Sequence, residues 1–376
     1  MRHYVYLIPG FFGFDTLGGV AYFRHLKELL TTLIEGAGRN IEIHTVPTLP
    51  TASIRRRALL LLDKIAASAR DESASIHLIG HSTGGLDARL LATPYSDITG
   101  DARHTELAGR IRNVFCISTP HRGTPLASFF TGLMGKKLLY LVSWFSLYTI
   151  KYGNLPLNIA AKFVGAVTKL DGQLGLENTI LDDFYNQLFS DLSTERRMEL
   201  KKMMAEILVD QSLLIQLTPD GMDVFNAAAP DNPQINYYCV TTMCEKPSFA
   251  SLKNVRLNPY SLAAFSLFNI LYRLSSPAAS SHHYSWSPDK SALEIFDKAY
   301  GRTPEWNDND GIVPTRSQLR GKLLYAAKGD HLDSIGHYDS GADDPLHINW
   351  LSSGAGFDKS QFYAIWSKVA EKIVAD

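Results

Sequence analysis

Six consecutive residues, Gly80-His81-Ser82-Thr83-Gly84-Gly85, hold the most chemically suggestive arrangement in the chain. They follow the apolar run Ile76-His77-Leu78-Ile79 and precede Leu86-Asp87-Ala88-Arg89-Leu90-Leu91, which carries a helical pattern. A serine at the tip of such a strand–turn–helix junction is exposed for attack. The turn also presses together the residues two before and two after the serine, and both are glycine here. A serine hydroxyl is a weak nucleophile unless a base takes its proton and an acid orients that base. Two later loops supply both groups. Asp310 lies in Asn309-Asp310-Gly311-Ile312-Val313-Pro314, and His331 in Lys328-Gly329-Asp330-His331-Leu332-Asp333. The assignment is Ser82 as nucleophile, His331 as general base and Asp310 as orienting acid. Asp308, two residues away, is the carboxylate that could be mistaken for the acid, Asp330 beside His331 reads as a turn residue, and His337 and His347 are further histidines near the C-terminus. His121, in Thr119-Pro120-His121-Arg122-Gly123-Thr124, reads as a brace for its loop. Negative charge developing on a carbonyl oxygen would need backbone N–H donors. Thr83, just after the nucleophile, and Phe11, in the glycine-bearing loop Pro9–Asp15, are the candidates.

The elements that must position these loops are legible as six strand-like runs: His3–Ile8, Ile41–Val46, Ser75–Ile79, Asn113–Ile117, Ile235–Val240 and Lys322–Ala326. Helix-length segments, Ala21–Glu35, Ser53–Ala69 and Leu86–Ala92, separate the first four. Alternation of this kind requires crossovers, and so a mostly parallel sheet with helices on both faces. From Pro125 to about Pro230 the pattern turns purely helical, as at Ala160, Phe163, Val164 and Val167 and at Met203, Met204, Ile207 and Leu208. A second insertion, about Lys246–Ser281, carries Tyr260, Phe265, Phe268, Ile270 and Leu271. Neither has a linker-like boundary, so both read as excursions forming a cap over one domain. The expected core is 1–124, 231–245 and 282–376, with cap segments at about 125–230 and 246–281.

Composition excludes several classes. With 37 basic against 38 acidic residues and a net charge of −1, no patch is basic enough to grip a phosphate backbone. Arg55-Arg56-Arg57 is the densest basic cluster and reads as a solvated helix start. The apolar run Leu138–Ile150 falls short of the roughly 20 residues that span a bilayer. Cys116, Cys239 and Cys244 form no staple framework, although Cys239 and Cys244 are close enough in sequence for a bridge. No signal peptide precedes the first strand, so as written the chain reads as cytoplasmic, and as secreted if a leader has been trimmed.

Taken together these segments resemble the bacterial triacylglycerol lipases of the Pseudomonas and Burkholderia type, within the α/β-hydrolase superfamily. The likeness rests on Leu7–Asp15, Leu78–Gly85, Thr119–Thr124, Leu217–Asn226, Asn309–Val313 and His331-Leu332-Asp333, in the family's order. It implies an α/β-hydrolase fold of about six strands with a helical lid, for which Phe129–Leu170 is apolar enough. It implies an acyl-enzyme mechanism at Ser82, His331 and Asp310, with Phe11 and Thr83 as oxyanion donors. The substrate it implies is a fatty-acyl or other carboxylic ester, met in part at a lipid interface, with no cofactor needed for the chemistry. The same triad would serve a small-substrate or polyester esterase, a thioesterase or an acyltransferase, and a catalytically silent binding protein is the remaining alternative. Pro9 stands where the family commonly has histidine. A structural calcium near the histidine loop is also implied, with Asp333 at one ligand position and Asp289 at another by rough spacing.

Overall fold

A computed structural model describes residues 2–17, 20–94, 102–132, 210–256, 258–277, 282–339 and 351–376, with isolated positions between 135 and 205 and at 349. Six parallel strands make one sheet: β1 (Arg2–Ile8), β4 (Asn40–Thr45), β5 (Ser75–His81), β6 (Ile111–Ile117), β7 (Asn236–Met243) and β8 (Lys322–Lys328). Their spatial order is β4-β1-β5-β6-β7-β8, every neighbouring pair parallel. The chain winds outward from β1 in one direction and then in the other. Loops that leave the carboxyl ends of β1, β5, β6 and β8 therefore gather at one edge of the sheet.

Alternation along the strands divides the core. Val5 and Leu7 of β1 pack on one face with Leu26, Leu30 and Ile34 of the helix Leu26–Gly36 and with Ile365, Trp366 and Val369 of the helix Lys359–Val374. Tyr4, Tyr6 and Ile8 point to the other face, against Ala58, Leu61, Leu62 and Ile65 of the helix Ile54–Ser68 and Ala88 and Leu91 of the helix Gly84–Ala92. Both faces being covered explains why these strands read as continuous apolar runs.

The helix expected over Ala21–Glu35 begins instead at Leu26. The preceding residues form a small antiparallel hairpin, β2 (Thr16–Leu17) with β3 (Val20–Ala21), and His25 takes a left-handed φ of 57° at the helix start. Cys239 and Cys244 are free, as is Cys116, and all three are buried. Along an extended strand five residues separate the two by ~16 Å, beyond the reach of a disulfide. Among the described residues no helix is long and apolar enough to cross a membrane. The periodic segments at 160–167 and 203–208, most of the run Phe129–Leu170, and His347 lie outside the described residues.

At the amino ends of the strands, His3 and His77 are buried side by side. Asn113 donates to His77 Nδ1 at 3.0 Å, so His77 Nε2–H donates to His3 Nδ1, also at 3.0 Å. Burial, then the charge His3 would carry, pushes His77 down to about 3. A histidine depressed in the folded state gives stability that is complete above its unfolded pKa of about 6.5 and lost as pH falls toward 3. Asp87, Asp330 and Asp333 are raised by burial and act in the opposite sense, so the wild-type slope alone is no test. The informative quantity is the difference between variant and wild type. Urea unfolding of His77→Gln, measured from pH 7.5 to 5, is expected to improve relative to wild type by about 2 kcal/mol. A difference independent of pH would show that His77 is not held neutral.

Candidate active site

The elbow between β5 and the next helix is built by close backbone contact. Ser82 has φ 52°, a left-handed value that a non-glycine residue reaches only with about 1–3 kcal/mol of strain. Around it there is no room for side chains: a Cβ on Gly80 would lie 2.3 Å from the Gly84 carbonyl carbon, and one on Gly84 2.2 Å from the Ile8 oxygen. The Ser82 N–H is tied to the Ile117 carbonyl of β6 at 2.8 Å, which locks the turn to the neighbouring strand.

Asp310 and His331 are joined. His331 Nδ1 lies 2.8 Å from Asp310 Oδ2, and the His331 N–H donates to the Asp310 carbonyl at 3.0 Å. The Asp310 carboxylate accepts five hydrogen bonds. Oδ1 takes the N–H groups of Ile312 and Val313, which close the turn; Oδ2 takes His331, the Thr242 hydroxyl at 2.8 Å and Gln318 Nε2 at 3.0 Å. Because Thr242 spends its proton on Asp310, its oxygen accepts from Ser118 at 2.8 Å. With donors on every side this fully buried carboxylate acts as an acceptor, which fixes His331 with its proton on Nδ1 and leaves the Nε2 lone pair free to accept. Asp308 is instead held by Arg302 and the Glu305 N–H, and His337 Nε2 reaches the Tyr22 carbonyl at 3.0 Å. Asp330 accepts the Leu332 N–H at 3.0 Å, closing a turn.

Ser82 and His331 line the same cavity, without a hydrogen bond between their side chains in this arrangement. Such contacts commonly tighten only around bound substrate. The cavity wall is almost wholly apolar. Phe11, Phe12 and Ile312 border it from loops; Leu126, Phe130, Leu139, Leu214 and Leu217 come from the stretch between β6 and β7, and Leu267 and Leu271 from the helix Pro259–Ser275 between β7 and β8. Neither the Phe11 nor the Thr83 N–H has an acceptor among the described residues.

The sequence reading of Arg55-Arg56-Arg57 needs correction at its third residue. Arg57 is fully buried, pairs with the equally buried Asp87 at 2.8 Å, and donates to the carbonyls of Leu49, Pro9 and Gly10. It lies on the inward face of its helix, beside Ala58, Leu61 and Leu62, and no charge count could reveal that. Tyr22, Thr242 and Gln318 were likewise missed, since their partners are remote in sequence. His121 is a brace, as its position suggested: its N–H donates to the Ser317 carbonyl at 2.9 Å and its carbonyl accepts from Asn226. The two carboxylates of the suggested metal pair are engaged differently. Asp289 caps an exposed helix start through the Ala292 N–H, whereas Asp333 is buried and accepts from the Asp330 N–H at 2.8 Å. Among the described residues no group of three or more His, Cys, Asp or Glu is arranged to hold a metal ion.

No family model matches this chain. It is similar to curated triacylglycerol lipases: 29% identical over 134 residues to one from Vibrio cholerae serotype O1, and 32% over 123 residues to one from Pseudomonas fragi. These stretches are 35% and 30% of this chain, and span only 37% and 40% of the relatives' own lengths. Solved structures match over nearly the whole chain. EstA from Clostridium botulinum gives a TM-score of 0.54 at 19% identity, covering 97% of this chain and 86% of its own. Lipase 1 from Pelosinus fermentans gives 0.52 at 17%, with 98% of each chain covered, and Staphylococcus hyicus lipase 0.51 at 16%, covering 100% and 95%. In fold the chain is similar to these bacterial lipases and esterases, and about a third of its sequence is similar to curated triacylglycerol lipases.

Proposed function

We propose that this chain hydrolyses carboxylic esters, with lipid-like acyl groups as its preferred class. Ser82 Oγ attacks the ester carbonyl carbon while His331 Nε2 takes the hydroxyl proton, and the imidazolium is steadied by Asp310. The carbonyl oxygen becomes an oxyanion received by the Phe11 and Thr83 N–H groups. The C–O bond to the alcohol then breaks, with His331 returning its proton to the departing oxygen. Water, deprotonated by the same histidine, releases the acid from Ser82. The observation that carries this reading is the conjunction at one cavity: a strained serine, a histidine fixed by a five-bond carboxylate, and an apolar wall. That wall suits a hydrocarbon chain, and residues of both insertions contribute to it, which supports their role as a cap.

A fluorophosphonate probe followed by peptide mass spectrometry tests the nucleophile, and adduct confined to Ser82 is expected. A series of p-nitrophenyl esters tests the substrate class, with kcat/KM rising from acetyl to medium-chain acyl groups. No adduct at Ser82, or a steady fall from acetyl upward, would overturn the respective part.

Calcium, where it binds, would serve structure and not the bond-breaking step. Asp330 and Asp333 are the carboxylates that would hold it, Asp289 being engaged elsewhere. Both are fully buried, Asp330 pushed up to about 7 and Asp333 also raised, by burial first, and the Oδ2 of Asp330 has no partner. Two repelling carboxylates and an orphaned oxygen fit a hard divalent cation, whose other ligands would be carbonyls and water. Millimolar calcium is expected to raise the melting temperature, and Asp333→Asn to abolish the increment. An equal increment in wild type and variant would place calcium elsewhere.

A further inference from the structure

The residue between glycine and nucleophile, His81, is wholly buried and takes no part in the chemistry proposed above, yet both its nitrogens are engaged. His81 Nε2 lies 2.8 Å from the carbonyl oxygen of His331. That oxygen only accepts, so Nε2 carries the proton and Nδ1 is an acceptor. Nδ1 lies 2.7 Å from the Tyr22 hydroxyl, which therefore donates to it. The Tyr22 oxygen in turn accepts the Gly10 N–H at 2.8 Å. Every proton is thereby assigned: Gly10 N–H to Tyr22, Tyr22 O–H to His81, His81 Nε2–H to His331 C=O. The chain works only with His81 neutral, and burial followed by the nearby His331 holds its pKa well below the usual value.

The two ends of this chain matter. Gly10 immediately precedes Phe11 and lies against the nucleophile, where an added Cβ would meet Ser82 Cβ at 2.8 Å and the Tyr22 hydroxyl at 2.7 Å. The Gly10 carbonyl is held by Arg57 at 3.2 Å and by the Gly13 N–H at 3.1 Å. In a trans peptide the N–H that follows points opposite to that carbonyl, so fixing Gly10 aims the Phe11 N–H. At the other end, clamping the His331 carbonyl holds the backbone that carries the base.

We propose that Tyr22 and His81 are positioning residues for acyl transfer, a neutral hydrogen-bond relay that keeps oxyanion donor and general base in register about Ser82. The proposal rests on the ester-hydrolase reading. Its two arms are separable by substitution. In His81→Gln the side-chain amide nitrogen replaces Nε2 and keeps the His331 arm while losing Tyr22. In His81→Asn the amide oxygen replaces Nδ1 and keeps the Tyr22 arm while losing His331. Tyr22→Phe removes the oxyanion-loop arm with almost no change in shape.

The readout compares an ester with the thionoester of the same acyl chain. A thiocarbonyl sulfur is a poor hydrogen-bond acceptor on a longer bond, so an aligned oxyanion hole favours the oxygen ester. Tyr22→Phe and His81→Gln are expected to lower ester kcat about 10²-fold with KM within about twofold. Their thionoester rates should fall far less, so that the ester preference collapses. His81→Asn is expected to lower both rates together and keep the preference. Thermal melts of the three variants identify any that fail to fold, and the remaining ones still separate the arms. Wild-type kcat in the folded variants, or parallel losses on both substrates in all of them, overturns the relay. A wild-type chain without ester turnover or Ser82 labelling overturns the enzymatic reading, and the relay's role with it.

Discussion

Ser82→Ala is expected to lower kcat on a chromogenic fatty-acid ester by about 10⁶-fold while the protein melts as wild type does. The alanine keeps the Cβ and the strained φ of 52°, so the elbow changes only by loss of the oxygen. Asp310→Asn tests the acid separately. Its Oδ1 can still close the turn with Ile312 and Val313, but an amide NH2 at Oδ2 would face donors from Thr242, Gln318 and His331. His331 would then be driven to the tautomer with its proton on Nε2, which cannot take the serine proton. The expected loss is about 10⁴-fold in kcat. Because the groups act as a unit, the double variant should be no slower than Ser82→Ala alone. Ser82→Gly, equally inactive, should melt above Ser82→Ala, since glycine accepts the left-handed backbone without strain. Activity retained in Ser82→Ala would dismiss Ser82 as the nucleophile.

How much of this was legible in the sequence depends on how local each signal is. The six strands were, because a sheet covered on both faces demands unbroken apolar runs, and each observed strand overlaps its expected segment within a few residues. The elbow was, because Gly80 is required by contacts within five residues, although Gly84 is required by Ile8 of a remote strand. Asp310 and His331 were placed by order along the chain and by turn chemistry, although nothing local singles out Asp310 over Asp308. Only the 2.8 Å approach of His331 separates the two. What escaped notice was long-range or very short. Thr242 and Gln318 look like ordinary polar residues until the fold brings them to Asp310. Tyr22 was absorbed into an expected helix because two-residue strands such as Thr16–Leu17 and Val20–Ala21 are too short to show a period of two. Arg57 was read with its neighbours as a run of charge. Position on the helix decides the matter: Arg55 and Arg56 face solvent, and Arg57 turns inward with Ala58 and Leu61.

That misread arginine carries the second large prediction. Arg57→Leu leaves the Asp87 carboxylate wholly buried without its partner, a change that costs about 3–5 kcal/mol. Burial already pushes Asp87 up to about 6 against the attraction of the guanidinium, so the aspartate has little reserve once that is gone. Arg57→Leu combined with Asp87→Leu removes both charges, and urea denaturation should return the part of the lost stability owed to the unpaired carboxylate, while the carbonyls of Leu49 and Pro9 stay without the guanidinium. Activity should not return with it. The guanidinium also holds the carbonyls of Pro9 and Gly10 and touches the Thr83 hydroxyl at 3.3 Å, so its loss frees the loop that aims the Phe11 N–H. The double variant is expected to be stable yet about 10²-fold down in kcat. Recovery of both stability and activity would reduce Arg57 to one half of an ion pair. Stability without turnover would show that this buried charge is kept for the geometry it imposes on Gly10, whose N–H Tyr22 holds from the other side.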